Sequence, residues 1–348
     1  MTPPPMTLDV FRSALGDRSR AWVALHPDER RRRAVTACAQ KDAGELWSLT
    51  EAHLGLYGSS GVLVSPHTLS AYRTGVTQFV AYAGANALNV LRPDLDDAQA
   101  WVLHLLERFK IATVRGRVAA AAALYRALRW AGATDSTPFS GVRIPKDHEH
   151  PLTKNPPYSP AVLRRVFARV DDALLHAPGP ERPRLLAARA LLLLLAHTGL
   201  RIQEALDLAW ADVHLDEDDP YVTVRSGKGR KSRTVGLSDR LVSALRAVQG
   251  LPRRRSHAAG MVLPFRTRMA ATNLLRPHFD REDVDEHGRP RSDWRGCHAF
   301  RKATGTRLYE ALGDFAAVAE VLGHADINVT RSYVRIAGSR AHKVMREW

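Results

Sequence analysis

The chain has 348 residues, 45% of them hydrophobic, two cysteines and a formal net charge of +15 at pH 7. That length favours two domains and is enough to bury a core without staples. Cys38 and Cys297 alone exclude a disulfide framework and a cysteine-based zinc module, and the apolar run Ala190–Ala196 falls far short of the roughly 18 residues that a spanning helix needs.

The positive charge is not a detachable tail, because the balance is +5 before Pro157 and +10 after it. A polyanion is the natural partner for such a chain, with nucleic acid first among them. The opening MTPPPMTLDVF has no basic segment leading into an apolar one, so no signal peptide is expected. The expected location is the cytoplasm, at the nucleoid, with no membrane partner.

Residues 1–60 read as a helical N-terminal extension with weak patterning. Pro27-Asp28-Glu29 opens a helix with acids in its first turn. Arg30 to Arg33 follow, either as phosphate contacts or as a solvated face. Residues 61–145 form a sharper helical unit. Ser65-Pro66 is a helix start, with Leu69, Tyr72, Val76, Phe79, Val80 and Ala83 on one face. Asp96 and Asp97 are placed to cap a second helix carrying Trp101, Val102, Leu105 and Leu106. Thr113 is placed to cap a third, with Val118, Ala121, Ala122, Tyr125 and Leu128 inward and Arg115, Arg117, Arg126 and Arg129 on its other face. Those four arginines are candidate DNA contacts.

Residues 146–157, polar and rich in proline, read as an interdomain linker. The second domain, 158–348, starts with a helix at Ser159-Pro160. An apolar helix from Leu185 to His197 ends at Gly199, and helix resumes over Arg201 to Leu208. Tyr221–Arg225 and Arg233–Leu237 alternate as two strands of a hairpin with a basic, glycine-rich tip. Glu282–Arg295 reads as a long polar loop, and the chain is helical from His298 on, with breaks near Gly313 and Gly323.

Four segments carry chemistry together: TGLRIQE (198–204), GKGRK (227–231), HAFR (298–301) and LGHADINVTRSY (322–333). Singly, each has an ordinary explanation: a surface arginine, a solvated turn lysine, an accidental HxxR pair, a half-buried tyrosine. Breaking a phosphodiester without a metal makes demands that match them jointly. Non-bridging oxygens that gain charge need fixed guanidiniums, and the leaving oxygen needs a general acid. A tyrosine nucleophile, with a usual pKa of about 10, needs a nearby base, which a histidine supplies.

These segments resemble the catalytic motifs of the tyrosine recombinases, the family of phage integrases and bacterial Xer recombinases. TGLRIQEAL resembles the first arginine box, GKGRKSRTV the hairpin lysine motif, HAFR the HxxR box and LGHADINVTRSY the closing His–Tyr box. The resemblance covers 158–348 strongly and 65–146 loosely. It implies a mainly α protein with a small antiparallel sheet: a helical, SAM-like core-binding domain and a catalytic domain of the DNA breaking-rejoining fold, closing as a C-shaped clamp on duplex DNA. It implies that Arg201 and Arg301 hold the scissile phosphate, Lys228 protonates the leaving 5′-oxygen, and His298 is acid–base partner to the tyrosine. His324 then donates to a phosphate oxygen, Tyr333 forms a 3′-phosphotyrosine, and Glu204 is structural. Lys231 rivals Lys228, and Arg230 joins it as a DNA contact. No cofactor, metal or ATP is implied.

The implied partners are double-stranded DNA and three further protomers in a tetramer that exchanges strands through a Holliday junction. A second recombinase or a DNA translocase is a candidate addition. The tail Ala337–Trp348, with Val344 and Trp348, is a candidate dock onto a neighbouring protomer. Lys302 departs from the histidine that many relatives carry after the second arginine, so a changed local hydrogen bond is expected there. The alternatives are a type IB topoisomerase-like relaxase and a catalytically silent DNA-binding protein on the same fold. A metal nuclease is disfavoured because no metal-ligand spacing is present.

Overall fold

The computed structural model describes residues 8–147, 153, 155–225, 232–251, 260–324 and 326–333, with side chains for 10–330 of these. Two compact units, residues 1–148 and 149–348, divide the chain.

The first unit is entirely helical among its described residues. Its helices are α1 (Leu8–Val23), α2 (Pro27–Gln40), α3 (Ala43–Tyr57), α4 (Pro66–Ala85), α5 (Leu95–Leu106) and α6 (Ile111–Trp130). Local chemistry sets their starts. The Asp42 carboxylate accepts from Gly44 N (2.9 Å) and Glu45 N (3.0 Å) to open α3, and Ser65 Oγ accepts from Thr68 N (3.1 Å) to open α4. Two expected caps shift. Asp94, not Asp96 or Asp97, caps α5, in a reciprocal capping box with Asp97. Lys110 precedes α6, so Thr113 lies inside the first turn. Leu15, Trp22, Leu46 and Leu49 from α1 and α3 lie in one continuous core with Phe79, Trp101, Leu124 and Leu128 from α4 to α6. Gly75 lets α4 approach α6 closely: a Cβ there would sit 2.5 Å from that of Ala120.

The arginines of α6 do not share one face. At about 100° per residue, Arg115 and Arg117 point to opposite sides of the helix. Arg117 is half-buried and donates to Ala71 O (3.1 Å), while Arg115 is exposed and donates to Pro145 O (3.1 Å). Arg126 and Arg129 are exposed.

The second unit surrounds a buried helix. Helix α7 (Pro160–His176), capped by Ser159, packs on α8 (Arg182–Leu193), whose Leu191, Leu192 and Leu193 are fully buried. After the short α9 (Ile202–Leu206), a three-stranded antiparallel sheet runs in the order β1 (Val213–His214), β2 (Tyr221–Val224), β3 (Arg233–Gly236). Its register pairs Val222 with Val235 and Val224 with Arg233, so Val222, Val224 and Val235 enter the core. Helices α10 (Asp239–Gln249) and α11 (Arg268–Leu275) follow. The stretch read as a loop, Glu282–Arg295, contains most of a second antiparallel pair instead, β4 (Asp280–Val284) with β5 (Pro290–Ser292). The Asp285 carboxylate ties its turn, accepting from His287 N (2.9 Å) and Arg289 N (3.0 Å). Helices α12 (His298–Leu312), α13 (Phe315–Leu322) and α14 (Ile327–Tyr333) are the last described elements of the unit. Among the described residues, no helix is long and apolar enough to cross a membrane. The mainly helical fold with small antiparallel sheets is the class expected from the sequence.

Candidate active site

The site is built where three helix ends of the second unit meet. Helix α8 continues into one turn of π-helix, Leu194–Thr198, and the last carbonyls of a helix have no donor further along it. One of them, Ala196 O, accepts from Thr304 Oγ1 (2.9 Å) and Arg307 Nη2 (3.2 Å) of α12. Gly199 then turns the chain with φ +65°, and a Cβ there would lie 2.7 Å from Leu322 Cδ2 and 3.2 Å from Thr304 Cβ. Glycine alone meets both demands. Two residues on, Arg201 stands at the start of α9.

Helix α12 presents His298 and Arg301 one turn apart, on one face. Arg301 is 1% exposed. Its Nη1 donates to Gly199 O (2.8 Å) and its Nη2 donates to Leu322 O. Helix α13 ends at Gly323 (φ +65°), whose carbonyl accepts from Arg201 Nη2 (3.4 Å). His324 follows, its Nδ1 2.7 Å from Thr330 Oγ1 on α14. Backbone carbonyls beside one of these motifs therefore hold the guanidinium of another. Arg201, His298, Arg301 and His324 come together although 123 positions separate the first from the last. The two arginines differ in access, since the Arg201 side chain is 45% exposed.

The electrostatics follow from this crowding. Burial, then the charges of Lys302, Arg301 and Arg201, push the His298 pKa down to about 4. Burial, then Arg301, Arg201, His298 and Arg233, push that of His324 down to about 3. Both imidazoles are neutral near pH 7, able to accept or donate one hydrogen bond per nitrogen. Burial works against the Glu204 carboxylate, but hydrogen bonds from Arg233 and Arg201 outweigh it and hold the pKa at about 2.

Three expected residues, Lys228, Arg230 and Lys231, lie outside the described residues, as does the tail with Val344 and Trp348. Tyr333 is the last residue of α14, one turn beyond Thr330, and its side chain is outside the description. Lys302 is 4% exposed, and its Nζ donates to Asn155 O at 2.7 Å. The changed hydrogen bond expected at that position thus ties the start of this unit to α12. Sequence reasoning missed Arg233, which meets Glu204, and Thr330, which meets His324. A clue to the first was Glu204 itself, a carboxylate three residues after Arg201 that would offset that charge unless a second cation met it.

Residues 168–340 match the Phage integrase family, and residues 62–132 match the N-terminal SAM-like domain of phage integrases. Tyrosine recombinase XerC of Xylella fastidiosa is 30% identical over 283 residues, covering 78% of this chain and 87% of that protein. The chain belongs to the tyrosine recombinases. Tyrosine recombinase XerC of Chlorobaculum parvum is 27% identical over 304 residues, covering 81% of this recombinase and 88% of its relative. Among solved structures, the XerH site-specific recombinase bound to a palindromic difH substrate, a post-cleavage complex, aligns with a TM-score of 0.62. The identity is 18%, over 97% of this chain and 94% of that one. A lambda integrase tetramer bound to a Holliday junction aligns with a TM-score of 0.57 at 13% identity, over 83% and 77%. At these identities the likeness is one of fold.

Proposed function

We propose that this recombinase cuts and rejoins DNA at a specific site through a covalent 3′-phosphotyrosine. The phenol oxygen of Tyr333 attacks phosphorus as the bond to the 5′-oxygen breaks. The phenol proton passes to His298, and the leaving 5′-oxygen takes a proton from Lys228. Arg201 and Arg301 face the two non-bridging oxygens, where positive donors fixed in advance lower the barrier most. His324 donates to one of the same oxygens. A 5′-hydroxyl from a second duplex then attacks the phosphotyrosine, reversing each transfer. One ester bond is made for each one broken, so the exchange needs no nucleotide as an energy source.

The single observation that carries this reading is the mutual anchoring of the two arginines. Arg301 rests on Gly199 O and Leu322 O, and Arg201 on Gly323 O, with a neutral histidine beside each. Preorganised guanidiniums that need no rearrangement suit a pentacovalent phosphorus. The net charge of +15 supplies salt-sensitive affinity for the backbone. We assign strand exchange to four protomers on two duplexes, in the cytoplasm at the nucleoid.

The test uses a nicked suicide substrate whose short 5′-ended fragment diffuses away after cleavage. Wild type should leave a denaturant-resistant protein–DNA adduct, and Tyr333→Phe should leave none while binding DNA with nearly unchanged affinity. An adduct formed by Tyr333→Phe, or none formed by wild type on DNA that it binds specifically, overturns the proposal.

A further inference from the structure

Glu204 stands between two guanidiniums. Its Oε1 accepts from Arg201 Nη1 (2.8 Å) and its Oε2 from Arg201 N (2.9 Å). From the other side, Arg233 Nη2 donates to Oε2 (2.8 Å) and Nη1 to Oε1 (3.3 Å), the bidentate fork that carboxylates favour. Arg233 and Glu204 are both well covered, with side chains 12% and 13% exposed. The third guanidinium nitrogen of Arg233, Nε, donates to Val321 O at 2.9 Å. Gly323 lies so close that a Cβ there would stand 2.8 Å from Arg233 Nη1.

Arg233 is the first residue of β3, so one side chain joins the base of the hairpin to α9 and to the end of α13. These are the elements that carry Arg201 and His324. It also settles a charge problem. A carboxylate paired with Arg201 alone would cancel the cation that must attract phosphate. With Arg233 on the far side, the trio keeps one net positive charge, and its exposed member is Arg201. The carboxylate is then free to aim the Arg201 fork without neutralising it.

We infer that Arg233 is a positioning residue for phosphoryl transfer, offsetting Glu204 so that Arg201 stays both oriented and cationic while the Gly323–His324 turn is held at its height. The inference rests on the recombinase reading above. Arg233 does not touch the phosphate in this arrangement and acts through Glu204 and Val321 O.

The test is single-turnover cleavage of the suicide substrate at saturating DNA, with site affinity and thermal midpoint measured alongside. Arg233→Gln should lower the cleavage rate constant by about tenfold or more, less than the direct loss of a phosphate donor, and change affinity by no more than about twofold. Arg233→Lys, which keeps the charge but not the fork, should recover part of that loss and guards against a variant that fails to fold. The deciding comparison is the double variant Glu204→Gln with Arg233→Gln. Removing the uncompensated carboxylate should make it cleave faster than Arg233→Gln alone. A double variant as slow as the single or slower overturns the inference, as does wild-type cleavage by both Arg233 variants. Absence of any adduct from wild type would instead strike the recombinase reading itself, so the two failures are distinguishable.

Discussion

The imidazole of His324 and the hydroxyl of Thr330 lie 2.7 Å apart, six residues distant in sequence and joined across the turn between α13 and α14. Thr330 is fully buried. A histidine that donates to phosphate through Nε2 must carry its proton there and accept at Nδ1. In that tautomer the Thr330 hydroxyl is the donor to Nδ1, so removing the hydroxyl should weaken the preference for it. Thr330→Val keeps the shape and removes the donor. It should slow cleavage by roughly tenfold, about the effect of one misdirected hydrogen bond, with DNA affinity preserved. Thr330→Ser should cleave near the wild-type rate. Equal rates for the valine and serine variants in a single-turnover assay would refute the tautomer role.

Gly199 makes a second prediction. Its φ of +65° disfavours any side chain, and a methyl group would press on Leu322 and Thr304. Gly199→Ala should cost about 1–3 kcal/mol of stability through strain at this position. It should also slow cleavage, because the carbonyl it displaces holds Arg301. Urea denaturation and single-turnover rates check the two effects separately. A variant of unchanged midpoint would show that the turn relaxes freely.

Acid should destabilise the protein earlier than carboxylate titration alone would. His298 and His197 have folded pKa values near 4, and His324 near 3, all below the usual 6.5. For His197, burial is the main cause, followed by Arg307 and Arg240. Between those values and 6.5 the unfolded chain binds more protons than the folded one, so stability falls as pH drops through that window. Glu204 acts lower. Its folded pKa of about 2 lies beneath the ordinary 4.5, so the stability it contributes is lost as pH falls from about 4.5 toward 2. Thermal midpoints from pH 7.5 to 4.5 should decline steadily, and replacing His197 and His324 with Gln should flatten the decline. An unaltered slope in that variant would place the sensitivity elsewhere.

The legible parts of the fold were those with local signals. Ser65-Pro66 and Ser159-Pro160 start helices because a hydroxyl cap and a proline at the first turn act within four residues. The α5 cap was misplaced because Asp94, Asp96 and Asp97 all offer the same carboxylate, and only the backbone geometry selects Asp94. The β4–β5 pair hid because only Asp280 in it is even half-buried, leaving no alternation of apolar residues to read. The face assigned to the α6 arginines failed at Arg117, whose two-residue offset from Arg115 turns it toward α4.

Arg201, His298, Arg301 and His324 could be named together because phosphoryl chemistry limits the residue types that serve and because their four segments resemble the motifs of a known family. The structure brings these four side chains together. The supporting residues could not be named in this way. Arg233 meets partners 29 and 88 positions away, and Gly199 answers to Leu322. Such pairings exist only after folding, and no spacing along the chain announces them.

The sharing of one hydrophobic interior by α1, α3 and α4 to α6 has a practical consequence for dissecting this enzyme. The family match to the helical unit begins at residue 62, which invites trimming everything before it. Such a cut would lay bare the sides of α4 and α6 against which α3 packs, and strip Trp130 of its ring neighbours His53 and Tyr57 and of the Arg30 guanidinium. Residues 8–60 behave as a wall of the room, and a truncated enzyme that loses DNA binding would be reporting collapse of that wall.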